Sequence, residues 1–184
     1  MKMLFLDKEI KYIGSQLSPH WIYKNFNIQG DAIIAFCGEC DVKLSEMVDI
    51  EDVINNEPIY SNYMLNFITE QFNTELVEGV LRQRLLITII KEALEDRGFK
   101  INRNGDDLFV NGKKLSVSIA TKSLTSVLIH TGLNIISDGA PIPVSALESD
   151  LGIRDIKNFA QYIMSKYTDE LEDIKLASTK VRGV

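Results

Sequence analysis

Apolar and polar positions alternate most clearly along residues 100–121. Two runs of strand-forming residues flank Asn111-Gly112, and an Asn-Gly pair suits a two-residue type I′ turn because both central positions need positive φ. So short a loop fixes the register: Val110 faces Lys113, Phe109 faces Lys114, Leu108 faces Leu115 and Asp107 faces Ser116. Continued alternation puts Leu108, Val110, Leu115, Val117 and Ile119 on one apolar face. Asp107, Phe109, Lys114, Ser116, Ser118 and Ala120 share the other. A half-solvated antiparallel hairpin gives this pattern, and so does a hairpin whose polar face lines a site.

A different period rules residues 74–97. Val77, Leu81, Leu85, Ile89 and Ala93 recur at helical spacing, joined by Leu86, Ile90 and Leu94. Thr74 is placed to cap this helix and Gly98 to stop it. So wide a stripe predicts a helix laid on a sheet, with Arg82, Arg84 and Lys91 on its solvated side. Short strands are expected at residues 3–6, 32–36 and 64–72, and a longer one at 127–136, where His130 falls opposite Val127, Ile129 and Thr131. Ser18-Pro19 suits a helix start, with Trp21, Ile22 and Phe26 inward. Residues 138–143 read as a loop, 146–147 and 156–167 as short helices, and 175–184 as a polar tail. Together these predict an α+β fold: a mixed, mostly antiparallel sheet with helices packed on one face. The expected organisation is a single domain over residues 1–175 followed by a tail at 176–184.

Length and composition narrow the class. A chain of 184 residues buries about 70% of its unfolded surface, enough for a core without disulfide staples. Its 45% apolar and 25% charged content is that of a soluble globular protein. A net charge of −6 argues against a nucleic-acid footprint, which needs clustered Lys and Arg. The longest apolar runs are too short for a bilayer, and the N-terminus lacks a signal-peptide pattern, so the expected location is cytoplasmic.

Three stretches carry candidate chemistry. Cys37-Gly38-Glu39-Cys40 is half of a zinc site or a redox pair. His20 and His130 could complete a zinc site only through folding, and the charges of Glu39 and Asp41 oppose a low thiol pKa. A tight turn with two half-buried thiols fits the same residues. Glu46, Asp49, Glu51 and Asp52 offer oxygen ligands for a divalent cation or form a solvated acidic helix end. His130 falls either beside Lys114 on the polar face or in the core as a satisfied structural histidine.

Residues 103–135 resemble biotin and lipoate protein ligases. Asp106-Asp107-Leu108 stands for the ligases' Asn-Asp-Leu, Arg103 for the lysine before it, and Gly112-Lys113-Lys114-Leu115 for the turn and second lysine. Lys114-Leu115-Ser116-Val117-Ser118-Ile119-Ala120 is similar to the lipoate ligases' Lys-x-Ser-Gly-x-Ala, and Gly132-Leu133-Asn134-Ile135 to the end of their next strand. Val117 departs from the glycine in both patterns, and Cys37-Gly38 stands where lipoate ligases carry an arginine-bearing turn. The whole chain resembles an uncharacterised prokaryotic DUF family (366) with the class II synthetase and biotin ligase fold. Gly14-Ser15-Gln16-Leu17, Gly105-Asp106-Asp107-Leu108 and residues 114–121 carry that resemblance.

The resemblance implies a ligase- or transferase-like protein acting on a small carboxylic acid, through an acyl-adenylate made with ATP and Mg²⁺. Lys114 would be the catalytic cation. Arg103, Asp106, Asp107, Ser116, Ser118, His130, Asn134, Cys37 and Gly38 would shape the ligand site, with Asp106 or Asp107 toward magnesium. It also implies a homodimer. The alternatives are a non-catalytic small-molecule-binding protein on the same fold, and a metal or thiol protein built on Cys37 and Cys40.

Overall fold

The computed structural model describes residues 1–140 and 142–183. Pro141, in the loop expected at 138–143, and Val184, in the expected tail, lie outside the described residues. In chain order the elements are β1 (Lys2–Leu6), α1 (Trp21–Phe26), β2 (Ala32–Val42), a 3-10 turn (Leu44–Glu46), α2 (Ile50–Asn55), β3 (Ile59–Phe72) and α3 (Leu76–Glu95). Then follow β4 (Asn102–Asn104), β5 (Asp107–Val110), β6 (Lys113–Lys114), β7 (Ser116–Lys122), β8 (Ser126–Asn134) and α4 (Ile156–Thr179). The main sheet has the order β1-β2-β3-β8-β7, antiparallel except for the β1–β2 pair. A smaller antiparallel sheet holds β4, β5 and β6. The fold is α+β, as the two periodicities predict.

Both faces of the main sheet are covered. On one, Ile33, Phe67 and Leu133 pack against Leu86 and Ile90 of α3 and Phe159 and Ile163 of α4. On the other, Ile34, Phe36, Met64 and Ile68 pack against Tyr12 and Ile22. The two long helices share one face, as expected, while only short α1 and irregular chain cover the second. Burial on both sides explains the imperfect alternation of β3, because a central strand needs apolar residues at successive positions.

Several local expectations change. The first helix begins at Trp21 rather than Pro19, with His20 at its cap position at φ 62. The His20 N–H donates instead to Oε1 of buried Glu70, at 2.7 Å, which holds the chain out of helical geometry. In α3, Val77 and Leu81 are exposed, and Gly79 and Gln83 are buried in their place. A Cβ at Gly79 would overlap the Val127 side chain, so the first turns approach β8 on a face that periodicity does not mark. Thr74 donates to the Phe72 carbonyl and caps nothing. α4 runs to Thr179, past the expected start of the tail.

The hairpin keeps its predicted turn and first pairs, Val110 with Lys113 and Phe109 with Lys114, and Leu115 N–H donates to the Leu108 carbonyl at 2.8 Å. The Asp107–Ser116 pairing is lost. Leu108 N–H donates instead to Ser116 Oγ at 2.9 Å, and the chain passes from the small sheet into the main one. That step ends the shared apolar face. Leu108, Val110 and Leu115 stay in the helix-side core, whereas Val117 packs into the opposite one.

Candidate functional site

The face of the main sheet away from α3 and α4 carries a cleft of about 660 Å³. Met64 of β3, Val117 and Ile119 of β7, His130 of β8 and Tyr12 supply its floor. The acidic segment from Glu46 to Glu57, which includes α2, forms one wall, and Asp106, Asp107 and Lys114 form the rim. Val117 and Ile119 face the cleft because β7, once paired with β8, turns its odd-numbered residues to that side.

The floor is built from buried polar groups. His130 is 2% exposed and stacks on Tyr12, with ring centroids 3.8 Å apart and planes 14° off parallel. Asn66 gives an amide N–H to the Met64 carbonyl. Its Oδ1 therefore accepts from His130 Nε2, 2.9 Å away, leaving Nδ1 an acceptor. Burial without a countercharge pushes the imidazole down to about 3, so His130 is neutral at physiological pH. Above pH 6.5 both folded and unfolded chains hold the ring neutral. Below it the unfolded chain takes a proton that the folded one refuses, so stability falls as pH drops toward 3. Replacing His130 by Gln should flatten Tm between pH 6 and 4 relative to wild type. The relief should approach about 1 kcal/mol per pH unit, read as the difference between the two melting curves.

The rim is charged. Lys114 Nζ lies 2.9 Å from Asp107 Oδ1. Asp106 pairs with Arg84 of α3 at 2.9 Å and accepts from Gln83 Nε2 at 2.8 Å. Burial raises the Asp106 carboxyl above its ordinary range, with Asp107 adding to the shift and Arg84 opposing it. Across the cleft, Asp52 is also raised, by burial and then by Asp49, while Lys114 pulls it back. Lys114 is thus the single cation among the described lining residues, facing carboxylates on both sides.

The structure brings Lys114, Asp106, Asp107, Ser118, His130 and Asn134 to this cleft and leaves the other expected residues elsewhere. Ser116 is buried where the chain passes from the small sheet into β7, and its Oγ accepts from the Leu108 N–H. Ser118 bonds the His130 carbonyl and Thr131 Oγ1 and accepts from Gln83, so its hydroxyl is occupied on the helix side. The expectation that Lys114, Ser116, Ser118 and His130 share one face is corrected by the sheet crossing after Leu115. Arg103 is exposed and donates to the Gly105 carbonyl.

Cys37 and Gly38 do not line the cleft, and the expected turn there is instead the middle of β2. Cys37 packs with the helix-side core and Cys40 lies in the opposite one. Burial pushes the two thiols up to about 11 and about 12. Thiols on opposite faces of a sheet cannot share a metal or a disulfide, so the Cys-x-x-Cys reading falls. No group of three or more metal-ligating side chains occurs among the described residues, and no helix there is long and apolar enough to cross a membrane. Sequence reasoning missed Tyr12, which no local motif flags, and Asn66, hidden in the apolar run of β3.

Residues 1–182 match the family described as Domain of unknown function (DUF366). The chain belongs to this family. An uncharacterised protein of Methanocaldococcus jannaschii, MJ0805, is 39% identical over 181 residues, covering 95% of this chain and 81% of its own. A solved protein of unknown function from Pyrococcus horikoshi is 39% identical with a TM-score of 0.92, over 100% of this chain and 98% of its own. The DUF366 fold is also that of biotin and lipoate protein ligases. The biotin protein ligase from Aquifex aeolicus, solved with biotin and ATP, gives a TM-score of 0.63 at 14% identity, over 95% of this chain and 72% of its own. A Thermoplasma acidophilum protein solved with bound lipoic acid gives 0.60 at 14%, over 93% and 86%.

Proposed function

We propose that the cleft binds a small carboxylic acid, with Lys114 receiving the carboxylate. The observation that carries this reading is the position of Lys114. It is the single cation among the described residues lining a 660 Å³ cleft, on a scaffold shared with proteins solved with biotin and lipoic acid. The Asp107 partner holds the ammonium at the rim. An ammonium has three N–H donors, so an incoming carboxylate can still take a charge-assisted hydrogen bond there, in competition with Asp107.

The lining favours a small acid over ATP with magnesium. The lining holds five carboxylates from the acidic wall and two from the hairpin but one cation, and it lacks the cluster of cationic side chains that clamps a triphosphate. The protein on this reading is a binding protein of ligase-type fold. The competing reading, acyl-adenylate chemistry, rests on the likeness to the biotin ligase solved with ATP. Melting curves separate the two: small acids alone should raise Tm by mass action, whereas millimolar ATP with Mg²⁺ should leave it unchanged. A nucleotide-dependent shift, lost in the Asp106→Asn, Asp107→Asn double variant, would reverse the choice.

A further inference from the structure

Three polar atoms of largely buried side chains open onto the cleft floor without a protein partner. The Tyr12 hydroxyl, His130 Nδ1 and Asn134 Oδ1 belong to residues 3%, 2% and 6% exposed that line the cleft. None of the three makes a hydrogen bond among the described residues: His130 is engaged through Nε2 and Asn134 through Nδ2. Their side chains are held in place by packing while these atoms face the cleft, so the floor offers fixed polar positions to a ligand. Two of the three are acceptors. An ionised carboxylate has no hydrogen to give, so an acid alone would leave both unmet.

The wall poses the same demand in charge. Asp107 and Asp106 are paired, with Lys114 and Arg84. The five carboxylates of the wall, from Glu46 to Glu57, have no ion pair among the described residues. Burial raises Asp52 first, Asp49, Glu57 and Glu51 add to the shift, and Lys114 opposes it. These carboxylates do not converge as a metal site does. A spread of negative charge close to one lysine suits an organic cation with several N–H donors better than a single divalent ion.

We propose that the acid bound here also carries a protonated amine: an aminocarboxylate whose acid end meets Lys114 and whose ammonium end lies against Asp52 and Glu57 and donates to the floor. This inference rests on the carboxylic-acid reading above and names its substrate class.

Calorimetry on the intact protein tests it with a matched panel: the common amino acids, 4-aminobutyrate and 5-aminopentanoate, each beside its counterpart without nitrogen, with simple alkylamines and MgCl₂ alone as further arms. At least one aminocarboxylate should bind about tenfold more tightly than its nitrogen-free counterpart. The Asp52→Asn, Glu57→Gln double variant, both positions lying on the wall rather than in the core, should cut that affinity to the counterpart's level. It should leave the plain acid's own affinity unchanged or improved. Equal affinity for the two members of every pair, or no effect of the double variant, overturns the amine subsite and leaves the acid reading standing. Binding of alkylamines alone, or of nothing, overturns both. A magnesium signal that the double variant abolishes, without any aminocarboxylate signal, overturns the proposal in favour of a metal.

Discussion

Gly38→Ala should be the most damaging single-methyl substitution on β2, costing about 3 kcal/mol or more, enough to remove a cooperative melting transition from a marginal domain. The position is extended, so the cost is one of space. A Cβ there would overlap the backbone carbonyl of Ile10, and neither partner can yield. Ile10 N–H donates to the Cys37 carbonyl at 3.0 Å, Tyr12 N–H to the Glu39 carbonyl at 2.8 Å, and Asp41 N–H to the Tyr12 carbonyl at 2.9 Å. These bonds lay the segment before α1 along β2 at its bulge. Pushing it away withdraws Tyr12 from His130 and opens the cleft floor, so near-ultraviolet dichroism should change along with Tm. Gly30→Ala is the matched control. It has open space around it but φ +86, and should cost only the left-handed penalty of about 1 to 2 kcal/mol. Equal losses at the two positions would mean that the Ile10 contact is slack.

That contact also marks where sequence reading stops. The turn at Asn111-Gly112 and the first hairpin pairs were legible because a two-residue loop determines them locally. The crossing from small to main sheet after Leu115 was not. It depends on β7 pairing with β8 and on Leu108 N–H finding Ser116 Oγ rather than a ladder carbonyl. Helical periodicity located α3 but misassigned its first two turns, because Gly79 and Gln83 are buried for reasons of close approach and hydrogen bonding that hydropathy does not record. The same limit applies to the site. Lys114, Asp107 and the acidic stretch were each visible as residues, but nothing local says that α2 faces Lys114 across a cleft. Cys37 and Cys40 drew notice through spacing alone. Once β2 is seen to run through them, that spacing separates them across the sheet.

Lys114→Ala should weaken acid binding by about tenfold or more while barely moving stability. The Lys114–Asp107 pair has side chains 38% and 31% exposed, so solvent screens it, and such pairs are worth at most about 1 kcal/mol. The lysine stem gives up little packing at a rim position, and removing it relieves no buried charge, since Asp107 stays hydrated. Binding is another matter. A carboxylate in this cleft has one cation to meet and several carboxylates to avoid. Loss of the charge-assisted hydrogen bond costs about 1.5 to 3 kcal/mol, or roughly tenfold to more than a hundredfold in Kd, before the unmasked repulsion from Asp107 and Asp52 is added. Lys114→Arg should recover part of the affinity, since the charge survives while the donor geometry changes. Asp107→Asn should tighten acid binding by freeing the ammonium from its competitor. Titration of one acid into these variants, with chemical denaturation alongside, separates the roles: lost stability with intact binding would make the pair a structural clamp of the hairpin. A binding loss in Lys114→Ala and a gain in Asp107→Asn, both at nearly constant stability, would make it the anchor of the ligand site.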